Sequence, residues 1–166
     1  MLKKQTTHKS LSRSLEKVIS ILNFDLKKEI EKRFKKNNDV AILDIGCGVG
    51  RSLWEISYLY TSDEKKLNLF GIFYSDEPDK KSMFYVHQKR YKEVLKKPEL
   101  IAKEFGISYK GKDKPKLYNL DACKRIPIKA NSIDVIYSTN AFHFFDNKIK
   151  SLIEISRVLK VDGVAI

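Results

Sequence analysis

The sequence predicts an α/β fold built around a mostly parallel sheet. Short apolar runs alternate along the chain with segments in which apolar residues recur at helical spacing. Strands and helices that alternate in this way form parallel sheets with helices on both faces. A glycine-rich turn at residues 46–50 follows the first apolar run, and such sheets bind ligands at the carboxyl ends of their strands. These observations together predict a Rossmann-like domain with its site at that turn.

Residues 1–38 are expected to form an N-terminal helical cap. Apolar residues from Leu11 to Leu22 recur at helical spacing, and a second series extends from Leu26 to Phe34. The two series are separated by a short break, where Asp25 could cap the second helix.

Five apolar runs after the cap predict the strands of the sheet. They are residues 40–45, 67–73, 117–120, 133–139 and 164–166, the last after a turn at 161–163. Helices are predicted between them over residues 52–60, 81–97, from Pro98 to the stop at Gly106, and 146–160. Asp146 is expected to cap the last helix. Its expected inward residues are Ile149, Leu152, Ile153, Ser156 and Leu159.

The composition indicates a folded domain with an uneven basic charge. The 166 residues are 42% hydrophobic and carry a net charge of +12. Residues 1–38 hold 11 basic and 4 acidic side chains, and residues 80–116 hold 12 and 4. This excess favours an anionic partner such as phosphate, nucleic acid or a membrane surface. A solvated, lysine-rich surface is the simpler explanation, because no aromatic-plus-basic RNA-binding signature is present.

Other sequence features favour a cytoplasmic setting. Cys47 and Cys123 are too few for a disulfide framework. They have no partners at metal-ligand spacing, so no zinc site is predicted. No apolar run approaches the roughly 20 residues of a membrane helix, and no signal-peptide core follows the basic N-terminus.

The segment VAILDIGCGVGRS, residues 40–52, carries an acid and three alternate glycines. Gly46, Gly48 and Gly50 would allow a sharp turn from strand to helix and let a ligand approach the main chain. The spacing matches neither the nicotinamide loop G-x-G-x-x-G nor the phosphate loop that ends in G-K-[ST]. Asp44, two residues before the first glycine, suits a cationic ligand group better than a pyrophosphate.

Four landmarks in the right order resemble the class I S-adenosylmethionine-dependent methyltransferases. LDIGCGVG is similar to motif I of that family. NLDACKRIPIKANSIDVIYSTNAFHFF resembles the stretch in which an Asp-Ala pair meets the adenine and an Asn-Ser-x-Asp turn leads into strand four. EISRVLKVDG resembles the helix and turn before strand five. The resemblance implies a methyltransferase domain over residues 39–166, with S-adenosylmethionine as its cofactor.

The resemblance implies roles for the residues of the glycine turn. Asp44 would hold the amino group of the methionine portion, directly or through water. Gly46, Cys47 and Gly48 would pass under the cofactor with backbone contacts, and Gly50 belongs to the same cofactor-binding turn.

It also implies roles for residues further along the chain. Asp121 would accept a hydrogen bond from the adenine amino group, unless it is an ordinary loop cap, and the Ala122 amide would face the ring. Ser138 and Thr139 would line the methionine side, although Thr139 could equally be an ordinary strand-end residue. His143 is the candidate general base, and packing is its alternative role.

The sequence departs from the family pattern in three places. Phe73 stands where the family places an acid that binds both ribose hydroxyls, and Asp76 or Glu77 could substitute from the following turn. Residues 98–115 read as an insertion, which could be a lid, an acceptor-recognition element or a solvated excursion. The chain ends within strand five, and the open strand edge is expected to favour self-association or pairing with a partner chain.

The resemblance implies a methyltransferase, and we expect it to act on a small-molecule acceptor, which could be anionic. No Asn/Asp-Pro-Pro-Tyr motif follows strand four, which disfavours exocyclic or amide nitrogens as acceptors. The alternative is a degenerate, truncated or split methyltransferase-fold protein without independent catalysis. A nucleic-acid acceptor stays open but is not favoured, and an aminopropyltransferase or nicotinamide enzyme of the same fold is a third option.

Overall fold

A computed structural model describes residues 13–74, 96, 98–107 and 113–166 of the chain. The strands are β1 Asp39–Ile45, β2 Lys66–Phe73, β3 Lys116–Asn119, β4 Ile133–Tyr137 and β5 Leu159–Ala165. The helices are α1 Leu15–Leu22, α2 Leu26–Lys36, α3 Arg51–Tyr60, α4 Pro98–Glu104 and α5 Lys148–Val158, and Phe142–Phe144 form a 3₁₀ turn. The strands make one parallel sheet in the order β3-β2-β1-β4-β5. The predicted α/β class and parallel sheet are confirmed.

The side chains of β1 alternate between two hydrophobic clusters. Val40 and Ile42 pack with α1, α2 and α3 on one face of the sheet. Ala41, Leu43 and Ile45 pack on the other face with α5 and with the chain between β3 and β4. Because successive strand residues point to opposite faces, a run of buried apolar residues requires a cover on each side. The sheet is covered on both faces, as predicted.

The N-terminal helices are separated where the sequence predicts a break. Asn23 ends α1 in the left-handed region with φ of 48°, a conformation that asparagine tolerates better than most residues. The Asp25 carboxylate accepts from the Lys28 N–H at 3.0 Å and caps α2, as predicted. The Leu15 N–H donates to the Glu55 carboxylate at 2.5 Å, which ties the start of α1 to α3.

The cap of α5 differs from the predicted one by one residue. The Asn147 side chain, rather than Asp146, accepts from the Lys150 N–H at 2.9 Å. Both residue types are good caps, so the sequence alone does not distinguish between them.

The inward face predicted for α5 is wrong except at Leu159, which begins β5 and packs in the hydrophobic cluster on this face. Ile149, Leu152 and Ile153 are 72%, 52% and 61% exposed, and Ser156 is exposed as well. The face toward the sheet is formed instead by Ser151, Ile155 and Val158. Both sets of residues recur at helical spacing, and the buried Ser151 hydroxyl is satisfied by bonds to carbonyls of its own helix.

The turn predicted at residues 161–163 lies within β5. Ile133 of β4 pairs with Leu159, and two residues further along Val135 pairs with Val164. The extra residues of β5 therefore form a bulge, which interrupts the pairing without ending the strand. β5 is an edge of the described sheet, and its pairing with another chain stays a prediction.

Several predictions fall on the insertion or just before it. α4 begins at Pro98, and Gly106, with φ of 73°, follows its end as predicted. The helix predicted over 81–97 lies outside the described residues apart from the helical Lys96, and Asp76 lies outside them too. In the described ranges, no helix is both long and apolar enough to cross a bilayer.

Candidate functional site

The glycine turn joins β1 to α3 at the carboxyl edge of the sheet. Gly46, Gly48 and Gly50 have φ values of 86°, 57° and 76°, a region that residues with a side chain rarely adopt. The N–H groups of Gly46 and Cys47 both donate to the Ile72 carbonyl, at 2.7 and 3.0 Å. The alternating glycines are thus required by the backbone of the turn, which is attached to the end of β2.

The loop after β4 lies directly against this turn. A Cβ built on Gly46 would lie 2.1 Å from the Cβ of Ala141, so only glycine fits there. Asn140, just before Ala141, has φ of 53°. The order of strands reverses between β1 and β4, and such reversal points are where ligands bind in open α/β sheets. The two loops therefore meet at the expected ligand position.

Asp44 lies at the end of β1 with one carboxylate oxygen unsatisfied. The side chain is 3% exposed, and its Oδ2 accepts from Ser52 Oγ at 3.0 Å. In the described part of the chain, Oδ1 has no hydrogen-bond partner. Burial raises the pKa of Asp44 from 3.8 to about 7, against the opposing effects of the Ser52 and Tyr137 hydroxyls and the Arg13 charge. A buried carboxylate with a free oxygen is a candidate site for a cation.

Arg13 brings a positive charge to the same region. Its Nη1 donates to the carbonyl oxygen of Thr139 at 3.4 Å, and Thr139 is buried. The Arg13 charge also acts on Asp44. The site thus holds charges of both signs, and the sequence analysis missed Arg13 because 126 positions separate it from Thr139.

Ser138 has a structural contact in the described residues. Its Oγ donates to the Ile45 carbonyl at 2.8 Å, which joins the ends of β4 and β1. Its N–H donates to the Ile166 carbonyl at 3.0 Å. The Ser138 hydroxyl therefore connects the carboxyl ends of β4 and β1.

Asp121 and Ala122, for which the resemblance implies contacts with the adenine, follow β3, two strands away from β1. The Asp121 carboxylate accepts from the Cys123 N–H at 2.8 Å, so one of its oxygens caps its own loop. Ala122 is buried and packs in the cluster on the α5 face, where Ile72 also lies. The loop-cap role expected as the alternative for Asp121 is present in the structure.

His143 and Phe73 differ in how they are exposed. His143 is exposed on the 3₁₀ turn, with its ring centroid 3.9 Å from that of Phe144. Among the described residues, no hydrogen bond joins it to Asp44. Phe73 is 3% exposed and packs in the core beneath α1–α3, so the end of β2 carries an apolar side chain where the family pattern has an acid.

An ion pair on α5 supports the loop between β3 and β4. Arg157 donates to the carbonyls of Ile126 and Ile128 at 2.8 and 3.0 Å. It also pairs with Glu154, whose carboxylate accepts from the Ile126 N–H at 2.9 Å. Hydrogen bonds from Arg157 are the main reason that the pKa of Glu154 lies below its ordinary value. The pair thereby holds in place the loop between β3 and β4, which also contains Asp121 and Ala122.

Replacing Arg157 with leucine is expected to destabilise the fold by about 1.5–3 kcal/mol, because two carbonyls lose a charged donor. Chemical denaturation measures this loss. Lys32→Leu is the control, since Lys32 also pairs with a glutamate three residues away but is 61% exposed, and its effect should be under about 0.5 kcal/mol. Glu154 has a depressed pKa, so its stabilisation is lost as pH falls through the folded value. The Arg157→Leu effect should shrink at acid pH, and an effect equal to that of Lys32→Leu would contradict the role.

A family model described as "Methyltransferase domain" matches residues 43–166. A proposed sarcosine dimethylglycine methyltransferase from Galdieria sulphuraria is 21% identical, with a TM-score of 0.52, and the match covers 84% of this chain and 45% of that one. The [4+2]-cyclase SpnF is 20% identical, with a TM-score of 0.52 and coverage of 84% and 42%.

The YcgJ protein of Bacillus subtilis is 20% identical, with a TM-score of 0.49 and coverage of 84% and 49%. The chain therefore spans about half the length of these solved structures or slightly less. No curated protein matches the chain.

Proposed function

The chain belongs to the class I S-adenosylmethionine-dependent methyltransferase domain family, and on that premise we propose that it methylates a small-molecule acceptor. S-adenosylmethionine is the cofactor of this family. The family match favours this function over the alternative of a truncated or degenerate protein without catalysis. The [4+2]-cyclase SpnF has a similar fold, so the fold alone does not decide the reaction.

The observation that carries the proposal is the unsatisfied Oδ1 of Asp44 beside the glycine turn. A buried carboxylate of this kind is stabilised by a cationic group, and the cofactor's methionine portion carries an ammonium group. The turn fits the group as well, because Gly46 has no side chain where the two loops meet. The residues present therefore fit the cofactor.

Charges of both signs suit the zwitterionic methionine portion. Asp44 would hold the ammonium group, and Arg13, which lies at Thr139, would hold the carboxylate. Ser138, bound to β1, would keep this wall in place. Gly46, Cys47, Gly48 and Gly50 would form the floor of the site. For the adenine, Asp121 would accept with the oxygen that does not cap its loop, beside the Ala122 amide.

Methyl transfer requires little acid–base chemistry from the protein. The cofactor supplies an electrophilic methyl group on a sulfonium, so that an aligned nucleophile on the acceptor suffices. The chain's residues hold the acceptor and remove its proton where one must leave. His143 is exposed on the loop beside the glycine turn, and we place the proton-accepting role there. An anionic acceptor would suit the basic charge of the chain, +12 overall.

Turnover with labelled cofactor tests the proposal. The full chain is incubated with methyl-labelled S-adenosylmethionine and with separate pools of small metabolites and of total RNA. S-adenosylhomocysteine and labelled product are then measured by mass spectrometry. Labelled product should form with a small-molecule pool and should fall at least about tenfold in Asp44→Asn, which loses one charged contact. If product forms only with RNA, and its yield falls steeply as the salt concentration rises, the acceptor is a nucleic acid and not a small molecule. Cofactor binding without any acceptor-dependent product would contradict the methyltransferase assignment.

A further inference from the structure

Two buried hydroxyls lie next to the Asp44 carboxylate on neighbouring elements. Asp44 of β1 is the register partner of Tyr137 of β4, and side chains in register on parallel strands point to the same face. Ser52, the second residue of α3, packs over that face. Ser52 is 2% exposed and Tyr137 is fully buried. An apolar residue would fill the position of Tyr137 equally well, so its hydroxyl needs a polar reason to be there.

The direction of the hydrogen bonds follows from counting protons. Ser52 Oγ lies 3.0 Å from Asp44 Oδ2 and 3.0 Å from the Tyr137 hydroxyl. Serine has one hydroxyl proton, and an ionised carboxylate only accepts. The Ser52 proton therefore goes to Asp44, and Tyr137 must donate to Ser52. The result is a directed series of hydrogen bonds from Tyr137 through Ser52 to Asp44 Oδ2, and Oδ1 has no partner among the described residues.

We propose that Tyr137 and Ser52 are positioning residues that keep the Asp44 carboxylate ionised and oriented, with Oδ1 left for the cofactor's ammonium group. The inference rests on the proposed function, whose cofactor site it deepens. Hydrogen bonds to a charged group are stronger than neutral ones, and a donor that is itself hydrogen bonded becomes a better donor. Removing Tyr137's hydroxyl therefore weakens the support of Asp44 in two ways, through Ser52 and through the hydroxyl's own lowering effect on the pKa of Asp44.

The hydrogen bonds from Tyr137 through Ser52 to Asp44 should make cofactor binding depend on pH near neutrality. In the described residues, the groups that face Asp44 are Ser52 on α3, Tyr137 on β4, Cys47 in the glycine turn and Arg13 before α1. Burial is the main cause that raises the pKa of Cys47 and of Tyr137, and Asp44 raises both further, so these two stay neutral. Burial raises the pKa of Asp44 itself to about 7. Affinity for a cation should therefore increase as pH rises through that value.

Two readouts on the free and the liganded protein test the inference. Carbon-detected NMR follows the Asp44 carboxyl of the free chain between about pH 5 and pH 9, with Asp44→Asn used to assign the signal. Calorimetry follows S-adenosylhomocysteine binding over the same range. Ser52→Ala and Tyr137→Phe are the variants. Ser57→Ala is the control, because Ser57 is also 2% exposed on α3 and donates one hydrogen bond, to the Asp113 carbonyl.

Both variants should move the Asp44 titration upward, by about one pH unit in Ser52→Ala and by less in Tyr137→Phe. Their affinity at pH 7 should fall, about tenfold in Ser52→Ala, and should recover at higher pH. Ser57→Ala should leave both profiles unchanged. Unchanged titrations in folded Ser52→Ala and Tyr137→Phe would overturn the inference even if the cofactor binds. Shifted titrations without binding in any variant or in the native chain would support the inference and overturn the proposed function instead.

Discussion

Replacing Gly46 with alanine is expected to be among the most damaging single substitutions in the chain. The new Cβ would lie 2.1 Å from that of Ala141, and the backbone at this position has φ of 86°. A positive φ on a residue with a side chain costs about 1–3 kcal/mol, and forcing two packed segments apart costs a similar amount. A total of about 2–6 kcal/mol is a large part of the stability of a domain of this size. Chemical denaturation and cofactor titration should both show the loss.

Two further variants separate the steric effect from the backbone effect. Gly106 has a similar φ of 73°, but a Cβ built there meets nothing within 4 Å. Gly106→Ala should therefore cost only the backbone part, about 1–3 kcal/mol. Ala141→Gly removes the atom that a new side chain at Gly46 would meet and leaves only the Cα, at 3.6 Å. The double variant Gly46→Ala/Ala141→Gly should recover part of the stability, and equal losses in Gly46→Ala and Gly106→Ala would contradict the contact.

Replacing Asp44 with asparagine is expected to lower the affinity for S-adenosylhomocysteine by about tenfold to hundredfold. The lost contact is a hydrogen bond between charged groups, which contributes about 1.5–3 kcal/mol. Binding of 5′-methylthioadenosine should change little, because that compound has no amino-acid portion. Calorimetry with the two ligands on both proteins isolates the contact as a difference of differences. Equal losses for the two ligands would mean that Asp44 supports the fold of the site rather than the ammonium group.

The same variant should change how stability depends on pH. The folded-state pKa of Asp44 is raised from 3.8 to about 7. The stability associated with the protonated form is therefore present at low pH and is lost as pH rises through about 7. Thermal unfolding of Asp44→Asn should lack this loss, which runs from about pH 4 to about pH 7 in the native chain. The native chain thus gives up stability as Asp44 ionises, a cost that the proposed contact with a cationic ligand group would explain.

The glycine turn could be predicted from sequence because its requirements are local. Gly46, Gly48 and Gly50 all have positive φ, which gives the sharp turn predicted from their alternation, and Asp44 is buried beside them. The partners of Asp44 could not be predicted in this way. Ser52 was read as part of a helix, and Tyr137 lies 85 positions from it. Their contact depends on the register of β1 against β4, which no short segment encodes.

The wrong predictions about the fold concern places where the local sequence fits two structures equally well. Ile149 and Ile155 lie on different faces of α5, and helical spacing fits either face. In the structure Ile155 is partly buried and Ile149 is exposed, and Ser151 lies on the inward face with its hydroxyl satisfied within the helix. In β5, the residues around Gly163 resembled a turn. They form a bulge between two segments that both pair with β4, so the strand continues through them. The periodicity of the sequence does not contain that pairing.

The most direct test of the account is a calorimetric titration of the full chain with S-adenosylmethionine at about pH 8, above the raised pKa of Asp44. A cooperative unfolding transition recorded on the same sample would establish that the chain is folded. We predict saturable binding of one cofactor per chain with micromolar affinity. A folded chain that binds neither S-adenosylmethionine nor S-adenosylhomocysteine would contradict the account. The unsatisfied oxygen of Asp44 would then have no ligand in the cofactor, and Phe73 at the end of β2 would mark a site that has lost its cofactor.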